Sequence, residues 1–409
     1  MPNTNKKWTV MVYLAGDNNL DQNGVEDLNE MKKTGSTQNI NVIAQFDRAG
    51  AGAATNRYYL KKGTSLNADV TRSLGETNTG DPAGLIDFFN WGAANYPADH
   101  YLFVLWNHGQ GWDDTDVYAG ERGSGYRIPR SNRIRHSFFE TSVKKAAKLS
   151  VGNIKTTRAI LLDDNAKDFL DNLEMKKVMD AAKKTIGRKL DIVGMDACLM
   201  SMAEVGYQMR DSVLYTVGSE ETEPLEGWPY DTILSAMNNQ PDISPFALSK
   251  LIVQHYITSY KGSGEAVTQS ACDLSCSTAF AAAVRKLGSA LKTGLSNPAA
   301  RASIVDIRNR VQDYEVQDNV DLTDLCKRLK TSSVSAIIKG ACDSVLAAIK
   351  GNPGLVIASG YMGASMKRSN GVAIYFPTRS VSPLYAGLDF SKKTGWDKFL
   401  KTYITVTRS

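Results

Sequence analysis

Four short, nearly unbroken apolar runs set the strongest limit on how this chain can fold. They are Trp8–Ala15 (WTVMVYLA), Asn41–Asp47 (NVIAQFD), Tyr101–Trp106 (YLFVLW) and Leu190–Met195 (LDIVGM). A strand that is apolar on both of its faces must be covered on both, which is the situation of a parallel sheet with helices on each side. Amphipathic segments alternate with these runs. Residues 20–33 turn Leu20, Val25, Leu28 and Met31 to one side, and Asp81-Pro82 opens a helix holding Leu85, Phe88, Phe89 and Trp91. A further helix is expected over 171–186 and another from Leu199 to Met209, with strands at 158–162 and 213–219 and a hairpin arm at 56–61. The expectation is an α/β core over residues 1–245, interrupted by a polar insertion rich in Gly and Arg at 113–157. Beyond it, residues 246–409 turn helix-rich, with strands near 267–273, 355–361 and 371–376, and form a smaller part docked on or extending the same sheet.

Charge and cysteine content remove several classes of function. The net charge of +5 is mild for 409 residues, and the one dense basic stretch, Arg122 to Arg135, falls in the insertion, so no nucleic-acid partner is expected. Five scattered cysteines do not make a disulfide framework, and Cys272 and Cys276 lack the further ligands of a zinc site. Gly50-Ala-Gly52 is not followed by the helix a phosphate loop needs. No apolar stretch approaches the ~20 residues that span a bilayer. The N-terminal MPNTNKK leads into a strand with no apolar signal region. A cytoplasmic location is therefore the expectation, or secretion if a signal has been trimmed away.

The chemistry should lie beyond the carboxyl ends of the parallel strands, where open α/β sheets bind their ligands. The run 101–106 stops at Asn107-His108-Gly109, and the run 190–195 stops at Asp196-Ala197-Cys198. If these strands are neighbours, His108 and Cys198 leave the same edge of the sheet. An imidazole beside a thiol can generate the thiolate that acts as nucleophile, and a helix beginning at Leu199 would lower the thiol pKa further. Gly109 could direct its N–H at a developing oxyanion, with the N–H of Cys198 as second donor. His100 precedes its strand, His136 lies in the insertion and His255 sits in a helical apolar pattern, so none of them fits as well.

Seven segments together resemble the clostripain family of cysteine peptidases, in the caspase-like clan. They are WTVMVYLAGDNNL (8–20), GDPAGLIDFFNW (80–91), LFVLWNHGQGW (102–112), DIVGMDACLMSMAE (191–204), GSEETEPLEGWPY (218–230), TQSACDLS (268–275) and GVAIYFP (371–377). The resemblance implies a caspase-like α/β/α sandwich with a mostly parallel central sheet, and a catalytic dyad of His108 and Cys198. It also implies cleavage of proteins or peptides after Arg or Lys, for which an acid in the S1 pocket must meet the cationic side chain. Asp196, two residues before the cysteine, is the first candidate and Glu226 the second. Asp231 belongs to the same acidic group, Glu220, Glu221, Glu223, Glu226 and Asp231, and Trp228 is a candidate pocket wall.

For an enzyme of that preference, Arg122, Arg127, Arg130, Arg133 and Arg135 are candidate self-cleavage points between His and Cys, leaving two associated chains. No cofactor is required. Calcium is a candidate ligand, with Asp163, Asp164 and Asp168 the acids best grouped for it and Asp17 and Asp21 a poorer set. Two other readings stand beside this one: a signalling or defence peptidase with one dedicated target, and a caspase-like scaffold that only binds a partner.

Overall fold

The computed structural model describes residues 5–50, 53–112, 160–166 and 168–408. In chain order its strands are β1 (Lys6–Gly16), β2 (Ile40–Arg48), β3 (Thr55–Tyr59), β4 (Val70–Gly75), β5 (Ala98–Trp106), β6 (Ile160–Asp163), β7 (Asp168–Leu170), β8 (Leu190–Asp196), β9 (Val213–Gly218), β10 (Val267–Asp273), β11 (Asn319–Asp321), β12 (Val356–Met362) and β13 (Ala373–Tyr375). Nine of them form one sheet in the order β12-β10-β9-β8-β5-β1-β2-β3-β4. The four apolar runs are thus consecutive neighbours at its centre, as β8-β5-β1-β2, and all pair in parallel. Parallel β9 completes this centre; β3 and β4 on one side, and β10 and β12 on the other, run antiparallel.

Connection handedness covers both faces. From β1 the chain passes through the helix Asp21–Thr34 to β2, then returns past β1 through the helix Pro82–Asn95 to β5. Right-handed crossovers taken in opposite directions place those helices on opposite faces of the sheet. The strands between them are buried along nearly their whole length, which is why their sequences do not alternate. Edge strand β4 instead exposes Thr71, Arg72 and Ser73, polar residues that discourage pairing with another chain. Local signals set the helix limits. Asp81 caps the helix that Pro82 begins, and Asp171 with Glu174 forms a capping box for Asn172–Ile186, which ends on Gly187 at φ 71°.

Buried side chains from both halves of the chain join in one hydrophobic core, and β10 and β12 extend the central sheet directly. Two expectations change. Residues 373–375 pair with β11 in a separate two-stranded ribbon, outside the main sheet. The helix expected from Leu199 begins at Ala203, because Leu199 takes φ 62°, a left-handed conformation that no helix continues through. Among the described residues no helix is long and apolar enough to cross a membrane.

Candidate active site

β5 and β8 are hydrogen-bonded parallel neighbours with Trp106 opposite Asp196, so the loops that follow them leave the sheet side by side. They touch where side chains are smallest. A Cβ added to Gly109 would lie 2.5 Å from the carbonyl oxygen of Cys198 and 2.9 Å from Ala197 Cβ, so only glycine fits there. The loop carrying His108 therefore rests directly on the turn carrying Cys198. That turn is itself tied down. Leu199 N–H donates to Glu221 O at 3.1 Å, Ser201 N–H to Ser219 O at 2.7 Å, and Ala373 N–H to Ser201 O at 3.0 Å.

On the other loop, the Asn107 amide donates to Ala15 O and Leu162 O, and its carbonyl oxygen accepts the His108 N–H. Asn18 donates to the same two carbonyls, at 2.9 Å each. The carboxyl ends of β1, β5 and β6 are thereby joined beneath the site. Asn19, one residue on, places its Oδ1 2.9 Å from His108 Nε2. Neither the sequence spacing nor the residue type singled Asn19 out; the only signal was its place in the turn cluster after an apolar strand.

Burial disfavours the charged forms of both His108 and Cys198 in this conformation. His108 is 2% exposed, and burial lowers its imidazole to about 3. Cys198 is fully buried, and burial pushes its thiol far up, with Glu223, Glu221 and Asp196 adding in the same direction. A backbone donor opposes them: Glu223 N–H points at Cys198 Sγ from 3.3 Å. Helix-dipole assistance, expected from the sequence, drops out, since four non-helical residues separate Cys198 from Ala203. The Glu223 N–H is in place to stabilise a thiolate.

Beside the cysteine lies a buried set of acids. Asp196 Oδ2 accepts the Tyr230 hydroxyl at 2.7 Å and the Trp228 N–H at 3.4 Å. Burial raises Asp196 to about 6, while its hydrogen bond with Glu223 lowers it; Glu223 is raised well above the usual range by burial and then by Asp196. Neighbouring buried acids of this kind resist carrying two charges at once. Asp27, raised by burial and by Asp196, accepts Trp106 Nε1–H at 2.6 Å. Trp228 is fully buried over Gly194, where an added Cβ would be 2.7 Å from its ring.

The remaining sequence candidates have different surroundings. Glu226 is exposed, and Asp231 pairs with Lys33 at 2.9 Å on the helix Asp21–Thr34. Glu223, by contrast, was only one member of an acidic group in the sequence, and the return of its loop over Cys198 brings it to the centre. Arg122, Arg127, Arg130, Arg133 and Arg135 lie outside the described residues.

Of the calcium candidates, Asp163 and Asp168 stand opposite each other across β6 and β7, with their carboxylates taken up by local hydrogen bonds. Asp163 Oδ2 accepts the Thr79 N–H and hydroxyl, and its Oδ1 accepts the Ala166 N–H at 2.7 Å. Asp168 accepts the Asn78 amide at 2.7 Å. Those bonds fix turns, and among the described residues the carboxylates that converge as a ligand set are Asp17, Asp47 and Glu76 instead.

Comparison with known proteins places this arrangement. The family model described as the clostripain family matches residues 12–140 and 142–403. Clostripain from Hathewaya histolytica is 30% identical over 277 residues, a match that takes in 59% of this chain and 45% of that protein. The chain therefore spans under half the length of this curated relative. Two solved structures share the fold. One is a secreted C11 cysteine protease from Bacteroides thetaiotaomicron in complex with an irreversible peptide inhibitor, at 21% identity and TM-score 0.65, covering 96% of this chain and 100% of that one. The other is an inactive zymogen C11 protease from Parabacteroides distasonis, at 20% identity and TM-score 0.65, covering 96% and 99%.

Proposed function

Because the chain belongs to the clostripain family of cysteine peptidases, we propose that it is an endopeptidase that cuts after Arg or Lys, with Cys198 as nucleophile and His108 as base. One observation carries the reading: adjacent parallel strands deliver the two loops to the same sheet edge, in contact at Gly109, beside a buried acid pair.

In the proposed reaction His108 removes the Sγ proton and the thiolate adds to the scissile carbonyl carbon. Negative charge gathers on the carbonyl oxygen, for which the N–H groups of Cys198 and Gly109 are the proposed donors. The C–N bond breaks as protonated His108 gives its proton to the leaving amine. Water, deprotonated by His108, then attacks the thioester and frees the new carboxyl terminus. Burial disfavours both charged forms in the conformation described, so substrate or solvent has to reach the pair before it ionises.

Asp196 is the proposed partner of a basic P1 side chain, now with Glu223 beside it and Trp228 as wall. A guanidinium or ammonium group would offset the mutual repulsion of the two acids and form charge-assisted hydrogen bonds. Glu226, being exposed, and Asp231, already paired, are poorer choices.

The same preference makes the segment from Arg122 to Arg135 a substrate for the enzyme itself, giving two associated chains. Intact mass checks this: wild-type protein should yield two fragments and Cys198→Ala should stay near 44.6 kDa, whereas one intact mass in both removes the idea. For the peptidase reading itself, fluorogenic peptides varied at P1 should be hydrolysed best with Arg or Lys, and not at all by Cys198→Ala. Equal hydrolysis by that variant sinks the assignment.

A further inference from the structure

A cleft lies between the helix Ser277–Gly294 and the corner where the short helix Asp389–Thr394 gives way to the helix Trp396–Arg408. Arg285, Gly288, Ser289 and Lys292 line one wall, and their helical spacing keeps all four on one face. Lys392, Lys393 and Lys398 line the other, with Phe399 beside them. Gly288 lets the two walls meet: a Cβ there would lie 3.2 Å from the Trp396 ring, so the elements close at that point and longer side chains rim the space. The cleft encloses about 280 Å³, near the low end of small-molecule sites.

Its charge is one-sided. Arg285, Lys292, Lys392, Lys393 and Lys398 are all cationic, and among the described residues no acid lines the cleft or pairs with any of the five. The helix Ser277–Gly294 carries no acid at all. On the opposite wall Asp389 holds Lys176 at 2.6 Å, and Asp397 accepts from Lys401 at 3.0 Å. Helix dipoles favour cations in a last turn, which accounts for Lys292, Lys392 and Lys393. They do not account for Arg285 in mid-helix, and they disfavour Lys398 in the first turn of Trp396–Arg408. Like charges gathered in this way repel, and no counter-charge in the cleft offsets the repulsion.

We infer that this cleft binds a small polyanion carrying several phosphate groups. Lysine ammonium groups and the planar guanidinium of Arg285 are the donors that phosphate oxygens take, and several charges on one ligand answer cations on both walls at once. All five basic side chains are exposed, so the cleft is open to a ligand from solution. Its concave form suits a compact anion better than a flat membrane surface. The inference does not rest on the peptidase reading, because none of the lining residues has a part in that chemistry.

The experiment uses full-length Cys198→Ala protein, so it needs no peptidase activity. Sodium triphosphate is titrated calorimetrically in about 0.15 M sodium chloride, which screens charges more than about 8 Å apart. A single class of saturable site is expected, with a rise in melting temperature of about 2 °C or more at saturation. Replacing Arg285→Gln together with Lys292→Gln, both exposed, should weaken binding about tenfold or more. Lys261→Gln with Lys367→Gln removes the same charge from exposed positions outside the cleft, and should leave affinity within about twofold. A nucleoside triphosphate titrated in parallel supports the inference either by equal affinity, from a site that reads phosphates alone, or by tighter binding, from one that also seats the base. Absence of saturable binding up to about 5 mM triphosphate overturns the inference. So does an equal loss of affinity in the two double variants, or retention on phosphatidylserine vesicles by protein that ignores triphosphate.

Discussion

Replacing Gly109 with alanine tests whether contact between the loops carrying His108 and Cys198 sets the activity. The new Cβ would stand 2.5 Å from the Cys198 carbonyl oxygen, 2.9 Å from Ala197 Cβ and 3.0 Å from Met200 Cγ. The first two are a backbone atom and a side chain with no rotamer, so neither can swing aside. Reaching an ordinary contact of 3.4 Å requires the loops to part by about 0.9 Å. A displacement near 1 Å between reacting groups costs roughly 10²-fold in rate, or about 2.7 kcal/mol of barrier. Overpacking of a buried site costs about 1–3 kcal/mol of stability in addition. Steady-state kcat/KM on a peptide with Arg at P1, with thermal unfolding in parallel, measures both. Gly340→Ala is the control, since nothing lies within 4 Å of its added methyl group and alanine favours the helix it occupies. It should keep wild-type activity. If Gly109→Ala stays within about twofold of wild type, the loops are not in the register described and the reasoning fails.

Two further predictions concern buried acids. Asp196→Asn should lower kcat/KM for a substrate with Arg at P1 by about 2–4 kcal/mol, roughly 30- to 10³-fold, while a substrate with a neutral P1 changes by less than about threefold. Equal losses on both would make Asp196 a support for the fold and not a specificity residue. Glu204 is fully buried, accepts the Tyr385 hydroxyl at 2.7 Å and the Tyr375 N–H at 3.1 Å, and is raised by burial to about 7. The folded protein therefore keeps a proton that the unfolded chain releases near 4.5, so its contribution is full below 4.5 and is lost as pH rises through 7. Glu204→Gln removes that loss: relative to wild type it should gain up to about 3 kcal/mol between pH 5 and pH 8 in urea unfolding. Parallel stability curves across that range would contradict the burial argument.

The parts of the fold governed by local pattern were open to reading from the sequence. The four apolar runs are central strands because burial on both faces leaves no room for alternation, and His108 and Cys198 follow two of them at once. Strand order is a long-range property, and the rest depended on it. Asp163, Asp164 and Asp168 were grouped because they are near in sequence, yet Asp163 and Asp168 are used in turns. Asp17, Asp47 and Glu76 meet only because β1 and β2 pair and β4 folds back beside them through β3. Glu223 faces Cys198 because β9 lies beside β8 and its loop returns over the site. The late start of the helix after Cys198 depends on Leu199 at φ 62°, a conformation rarely adopted by a leucine and not signalled by its identity.

The most direct test of the account is the site of covalent capture by a peptidyl electrophile with Arg at P1, mapped by mass spectrometry of the intact protein and its peptides. The account predicts one adduct, on Cys198, blocked by competing Arg substrate and lost in His108→Ala. Inhibition of hydrolysis with the label on the partly exposed Cys276, and Cys198 left unmodified, would contradict it.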